Sequence, residues 1–510
     1  MTMDTTYPAL FQLNTRARLH ERGEALGRAA TLDDLDDAEL DRLAEDGFDW
    51  LWLLGVWQTG DAGRAVSLRE PTWQAEYRHL LGDVRPDDVS GSPFAVRDYT
   101  VHREFGGPAA LARLRRRLAK RGLRLMLDFV PNHTALDHSW VAEHPEYYVP
   151  GTPDDLAREP HNWTRVETRG GPRVLAHGRD PYFPGWPDTL QLNYRHAGLR
   201  EAMAQVLERL AGQCDGLRCD MAMLVLPEVI QRTWGARTEP ADGRPPVDAP
   251  FWPFAIERVR RHRPDFVFMA EAYWDLEWAL QQQGFDYTYD KRLYDRLRAH
   301  EAAAVVAHLH ADADYQRRCA RFLENHDEPR AAEVFPIPAH QAAAVITLLA
   351  PGLRFVHEGQ ATGRRLRTSN HLRRRAREPI DRELETFYGR LLAAMRRPEV
   401  RSGHWRLAER TPAWDGNPTW EQLVAFSWTQ DGRRLLVAVN CGPGRAQGYV
   451  RGWPELEDGA WKFQDLVNPT LRYDRQGSEL RERGLYLDVP GWRAHVFDVA
   501  PADVAAGAAA

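Results

Sequence analysis

"LREAMAQVLERLAGQCDGLRCD", residues 199–220, holds one whole unit of the fold. Its apolar residues recur at helical spacing through 199–214, which predicts a helix there. "GLRCD" (216–220) then reads as a strand. Alternate side chains of a strand point to the same side. Arg218 and Asp220 therefore sit together at the strand's end, and a carboxylate held beside a guanidinium needs a reason.

The same unit recurs along the chain. "ALFQLN" (9–14) reads as a strand, "AELDRLAEDG" (38–47) as a helix, and "FDWLWLLGV" (48–56) as a second strand. A helix over 107–122 precedes a third strand, "LRLMLDFV" (123–130), and "GLRCD" is the fourth. "FAIERVRRHRP" and "DFVFMAEAYW" repeat the pattern, as do "QRRCARFLENHDE" and "ITLLAPGLRFVHEGQ". Such alternation argues for a parallel sheet covered by helices. Its extent favours a closed (β/α)8 TIM barrel over an open sheet. Residues 134–196 are rich in Pro, Gly, His, Asp and aromatics without a clear period, and read as an irregular subdomain inserted after strand 3. From 401 the pattern changes to short alternating runs, with "TQDGRR" as a hairpin turn. The expected organisation is thus barrel over 1–133 and 197–400, insertion over 134–196, a C-terminal antiparallel β-sandwich over 401–500, and a disordered tail over 501–510.

Composition narrows the classes. Hydrophobic residues make up 43% and charged residues 27%, as in a soluble globular protein. The net charge of -6 offers no basic field for nucleic acid, and no apolar run reaches membrane-span length. The N-terminus lacks a signal-peptide core, and Cys214, Cys219, Cys319 and Cys441 fit neither a disulfide framework nor a zinc site. These features point to a cytoplasmic protein with no cofactor, no nucleic-acid partner and no membrane partner. Oligomeric state is not legible.

In barrels the reactive groups lie at the C-terminal strand ends. Here "DFVPNH" supplies Asp128, Asn132 and His133, "GLRCD" supplies Arg218 and Asp220, "AEAYW" supplies Glu271, and "ENHDE" supplies Asn325, His326 and Asp327. Any one of these is more often a cap or a salt bridge than a reactive group. Together and in this order they resemble the signature of the α-amylase family of retaining glycoside hydrolases. "DFVPNH" resembles its D-x-x-x-N-H, "GLRCD" its G-x-R-x-D, and "ENHDEPR" its N-H-D, while "GSPFAVRDY" (91–99) resembles a further segment.

The resemblance implies retaining hydrolysis or transfer of α-glucosidic bonds in gluco-oligosaccharides. Retaining enzymes pair a nucleophile with a general acid/base. Asp220 would be the nucleophile, Glu271 the acid/base, and Asp327 a third catalytic carboxylate. Arg218 would lower the pKa of Asp220 and aim it. Arg218, His133, His326, Phe94, Asp128 and Arg330 would bind the sugar, Phe94 as a stacking platform. Two departures stand out. Gly91 occupies a position where exo-acting α-glucosidases tend to carry Asp, and Met221 after the nucleophile fits no usual linkage choice.

Many members hold a structural calcium between barrel and insertion. Asn132 matches one ligand, but Leu224 stands where a histidine ligand would be, so no metal is expected. Asp154 and Asp155 remain as donors for a different site. Of the tryptophans near the rim, Trp57, Trp186 and Trp274 are candidates for the cleft, and His357 and Glu358 either line it or cap it. Two other classes compete. One is a metal-dependent hydrolase with Asp128, His133, His326 and Asp327 as ligands, which leaves Arg218 and Glu271 unexplained. The other is a non-catalytic carbohydrate-binding protein on the same fold.

Overall fold

A strand covered on both faces needs apolar residues throughout, and "WLWLL" at 50–54 is buried at every position. The computed structural model describes residues 5–240, 245–453 and 456–502. Eight parallel strands close a barrel: β1 (Ala9–Asn14), β2 (Trp50–Leu54), β3 (Arg124–Phe129), β4 (Gly216–Cys219), β5 (Val267–Ala270), β6 (Tyr287–Tyr289), β7 (Cys319–Phe322) and β8 (Leu353–His357). β8 returns to β1, with Ala9 opposite Arg354 and Gln12 opposite His357. The helix expected before β4 spans Ala197–Ala211, and its buried side includes Leu199, Met203, Val206, Leu207 and Leu210.

Three features depart from the sequence reading. β6 was not anticipated, because three residues, "YTY", are too few to show a period. An excursion after β2 was also missed. It carries helices Asp61–Ser67 and Pro71–Leu80, and Trp57–Thr59 pairs antiparallel with Val96–Val101, which brings the Phe94 segment towards the rim. The insertion after β3, expected to be irregular, contains a three-stranded antiparallel sheet of Pro150–Gly151, Trp163–Thr168 and Gly171–Ala176. Trp163–Thr168 is mostly polar and Gly171–Ala176 opens with Gly-Pro-Arg, so no sustained apolar alternation marks them. His133–Ala135 pairs with Thr189–Gln191 and joins the insertion's two ends.

The C-terminal region packs a six-stranded antiparallel sheet and a three-stranded one. Strand Leu423–Gln430 shows the division of labour. Leu423 and Ala425 belong to the sandwich core, whereas Val424, Phe426 and Trp428 join the barrel's core. Trp428 Nε1 also donates to the Leu349 carbonyl at 2.8 Å. The expected hairpin turn is Asp431–Gly432, with φ of 48° and 79°. Both are left-handed, as a two-residue type I′ turn requires. The last strand, Ala494–Pro501, runs into the expected tail, most of which (503–510) lies outside the described residues. The four cysteines are buried and unpaired. Among the described residues, no helix is long and apolar enough to cross a membrane.

Candidate active site

Arg218 lies inside the barrel, fully buried, while its strand neighbours Leu217 and Cys219 alternate with it. Its Nη1 donates to Asp220 Oδ1 at 2.5 Å, and its Nη2 lies 2.7 Å from Glu271 Oε2. Nε donates to the Tyr289 hydroxyl at 3.3 Å. Three rings wall the guanidinium: Phe94 at 5.3 Å, Trp52 at 5.4 Å and Tyr289 at 5.7 Å. A cation kept from water needs such partners, and one planar group here pins the carboxylates of two neighbouring strands.

Glu271 receives two further donors. The Met221 backbone N–H reaches Oε2 at 2.6 Å, and the Tyr273 hydroxyl reaches Oε1 at 2.9 Å. Met221 has φ of 40°, a left-handed conformation rare for a residue with a side chain. That turn, directly after Asp220, aims the N–H at Glu271. At the end of β7, Asn325 Oδ1 accepts the N–H groups of Asp327 and Glu328, both at 2.9 Å, and so folds the "ENHDE" turn. His326 Nε2 lies 3.0 Å from Asp327 Oδ2, and Asn370 donates to Asp327 Oδ1 at 3.2 Å. On the other side of the ring, Gln12 Nε2 lies 2.8 Å from His326 Nδ1. With the amide donating there, the ring proton sits on Nε2, towards Asp327.

The three carboxylates differ in environment. Burial pushes Glu271 up to about 7, with Asp220 and Asp327 adding to the rise and Arg218 opposing it. Burial also raises Asp220, and Arg218 lowers it by less. Arg218 thus lowers Asp220 as expected, but desolvation outweighs the neighbouring charge and leaves the group above its ordinary value. Asp327 is the open member, with 41% of its side chain exposed against 9% for Asp220 and 3% for Glu271. Burial raises it, but His326, Arg218 and Arg367 together hold it well below the ordinary carboxylate range.

His133 and Phe94 also reach this rim. The His133 ring donates to the Phe94 carbonyl, and burial pushes its pKa down to about 3. Trp186 packs on His133 with ring centroids 5.2 Å apart, and Phe94 lies 5.4 Å from the His326 ring. Asp128 and Arg330, expected to bind substrate, do not join. Asp128 pairs in register with Arg218, a layer below Asp220, and its oxygens accept from Trp52 Nε1 at 3.0 Å and Gly55 N–H at 2.7 Å. Arg330 turns inwards to Glu324 at 3.1 Å and to the Glu358 carbonyl at 2.8 Å. Glu358 caps rather than lines, accepting from the Asn14 N–H at 2.8 Å and pairing with Arg375 at 2.8 Å. His357 is buried beside it. Trp57 is fully buried, with Nε1 on the Asp128 carbonyl at 2.7 Å. Gly91 is a backbone requirement: its φ is +80°, and a Cβ would lie 3.0 Å from the Arg64 nitrogen.

The groups nominated for metal do not converge. Asn132 Oδ1 accepts from Gln191 Nε2 at 2.8 Å, and its Nδ2 donates to Gln191 Oε1 at 3.2 Å. Leu224 is 4% exposed and packed in the core. Asp155 is engaged by Thr152 and Arg237, and Asp154 by Arg158. Among the described residues no group of three or more His, Cys, Asp or Glu is placed to hold a metal ion. As placed, Asn132, Leu224, Asp154 and Asp155 do not fit a calcium.

Tyr273, Tyr289, Gln12 and Asn370 were not singled out from the sequence. Tyr273 was within reach, since strand alternation puts it on the side of Glu271. Asn370 comes from a long loop with no signal at all.

A closed eight-stranded barrel with two buried carboxylates on one guanidinium, and a third exposed beside them, defines a class of site at a barrel's C-terminal rim. The model of the α-amylase catalytic domain matches residues 84–385, well over half of the chain, and the protein belongs to the α-amylase family. It is 25% identical over 401 residues to "Alpha-amylase MalA" of Haloarcula japonica, a match covering 77% of this chain and 53% of that one. It is 28% identical over 228 residues to an α-glucosidase of Culex pipiens, covering 42% and 33%. The matches thus span about half of the first relative's length and a third of the second's. Among solved structures, a maltogenic α-amylase from Thermotoga neapolitana superposes with a TM-score of 0.68 at 18% identity, over 97% of this chain and 99% of that one. At that identity the likeness is one of fold.

Proposed function

We propose that this protein hydrolyses or transfers α-glucosidic bonds of gluco-oligosaccharides with retention of configuration. The observation that carries the reading is the shared guanidinium, with Asp220 at 2.5 Å and Glu271 at 2.7 Å. It supports the short separation of about 5–5.5 Å that a retaining pair needs. Glu271, raised to about 7, keeps a proton to give at neutral pH. It protonates the glycosidic oxygen while Asp220 attacks the anomeric carbon and forms an ester. Glu271 then takes a proton from water or from a sugar hydroxyl, whose oxygen displaces Asp220. Asp327 holds ring hydroxyls more tightly as the sugar flattens. His326 donates to the same sugar through Nε2, Phe94 stacks on it, and His133, whose one proton goes to the Phe94 carbonyl, holds that ring in place. Tyr182 and Phe183, 60% and 67% exposed on the insertion, favour a substrate longer than one sugar. Tyr182 sits edge-on to Trp274 at 5.1 Å.

Two displacements restore configuration. The α-anomer is expected to appear first in proton NMR of early product, and the β-anomer appearing first would rule out the ester.

The engaged Asn132 and the apolar Leu224 carry a further expectation. Exhaustive chelation should leave activity and melting temperature unchanged. A melting point that falls with EDTA and recovers on adding calcium would overturn it.

A further inference from the structure

We propose that the groove between the β5–β6 connection and the helices before β7 is a second carbohydrate-binding site, taking a segment of α-linked glucan outside the catalytic rim. The choice of glucan rests on the function proposed above.

The groove has a volume of about 480 Å³, within the range of small-ligand clefts. Asp275, Glu277, Trp278, Arg292, Arg296 and Tyr315 line it, and Asp220, Glu271, Asp327 and Arg218 do not. The backbone is bent to build it. Trp274 and Asp275 have φ of 62° and 64°, two successive left-handed residues that carry side chains. Such a conformation persists only where its surroundings hold it, and it clusters at functional sites. On one side of the bend Trp274 meets Tyr182. On the other, Trp278 meets Tyr315 across the groove, with ring centroids 6.3 Å apart and planes at 53°.

Trp278 leaves 46% of its surface exposed. Beside it Glu277 is only 4% exposed, yet its carboxylate bonds to its own backbone N–H alone. Among the described residues no ion pair or other side-chain hydrogen bond engages it. A carboxylate with so few protein partners, lining the groove, can accept from a ligand's hydroxyls. Arg292 is held by Asp275, and Arg296 donates to the Ala304 carbonyl at 3.2 Å. Both present further N–H donors at the groove.

The ligand class follows from this mixture. Carboxylates and guanidiniums alternate, so the groove has no single-signed field to select an ion. Two tilted aromatic faces offer a platform for an apolar ring face, and the charged groups give and accept strong hydrogen bonds at its edge. A pyranose has an apolar face and a rim of hydroxyls.

Trp278→Ala tests the site, since an exposed side chain can be removed without opening the core. Wild type and variant are compared by retardation in native gels containing soluble starch, and by kcat and KM on maltotriose. Retention about tenfold weaker, with maltotriose kinetics and melting temperature unchanged, is expected. Retention equal to wild type overturns the proposal. So does a parallel loss of retention and maltotriose turnover, which makes the groove part of the cleft. Glu277→Gln, which keeps the shape, should also weaken retention, and an unaltered value there overturns the role given to the carboxylate. A wild type that cleaves no α-glucan but is retarded through Trp278 refutes the proposed function and leaves this site standing.

Discussion

Asp220→Asn and Glu271→Gln are each expected to reduce turnover by about 10⁴-fold or more, because nucleophile and acid act as a unit. Each change keeps an oxygen for Arg218 and much of the local shape, so the melting temperature should move little. Turnover and melting together separate loss of chemistry from loss of fold. Either variant retaining above about a tenth of wild-type activity, a barrier change near 1.4 kcal/mol, sinks the assignment. The wild-type pH profile adds a second reading. Glu271 must hold its proton and is raised to about 7, so kcat/KM should fall as pH rises through that value. Asp220 must be ionised, so activity should also fall towards acid. In Glu271→Gln the basic limb should disappear from the residual activity.

Legibility tracked the length of apolar runs and the position of charge. β1 to β5 and β8 announce themselves because both faces are buried and most of their residues are apolar. β6 does not, and Tyr289, which bonds Arg218, went with it. The pairing of Arg218 with Asp220 followed from period two alone. What spacing cannot supply is depth. Asp128 shares a strand end with His133, yet lies one layer lower and is engaged by Trp52 and Gly55. Arg330 follows Asp327 by three residues, but the chain turns there and sends it into the core beside Glu324. The net direction for Asp220 has the same limit: the lowering by Arg218 is visible in the sequence, and the larger rise from desolvation is not. Gln12 illustrates the limit of local reading, since its partner His326 is far along the chain.

Arg218→Lys is expected to cost about 10³-fold in kcat/KM, although the charge is kept. A guanidinium presents two N–H groups in one plane, and here each faces a different carboxylate. An ammonium is a point charge on a flexible stem. It can approach Asp220 or Glu271 closely, but it cannot hold both at this separation. The carboxylate it leaves stays buried without its cation. Breaking a buried pair this way costs about 3–5 kcal/mol when no partner remains, and less where the lysine keeps one. The melting temperature should therefore fall, in contrast to Asp220→Asn. The pH profile distinguishes a disturbed site from a merely weakened fold. Arg218 lowers both carboxylates against the rise that burial imposes. Removing that influence from either should move its limb of the profile to higher pH, whereas simple destabilisation leaves the limbs in place. Phe94→Leu, which removes only a ring from the wall, should lower activity without moving the limbs. If Arg218→Lys instead stays within about tenfold of wild type with an unaltered profile, the shared guanidinium does not set the two carboxylates, and the observation on which the proposed mechanism stands is lost.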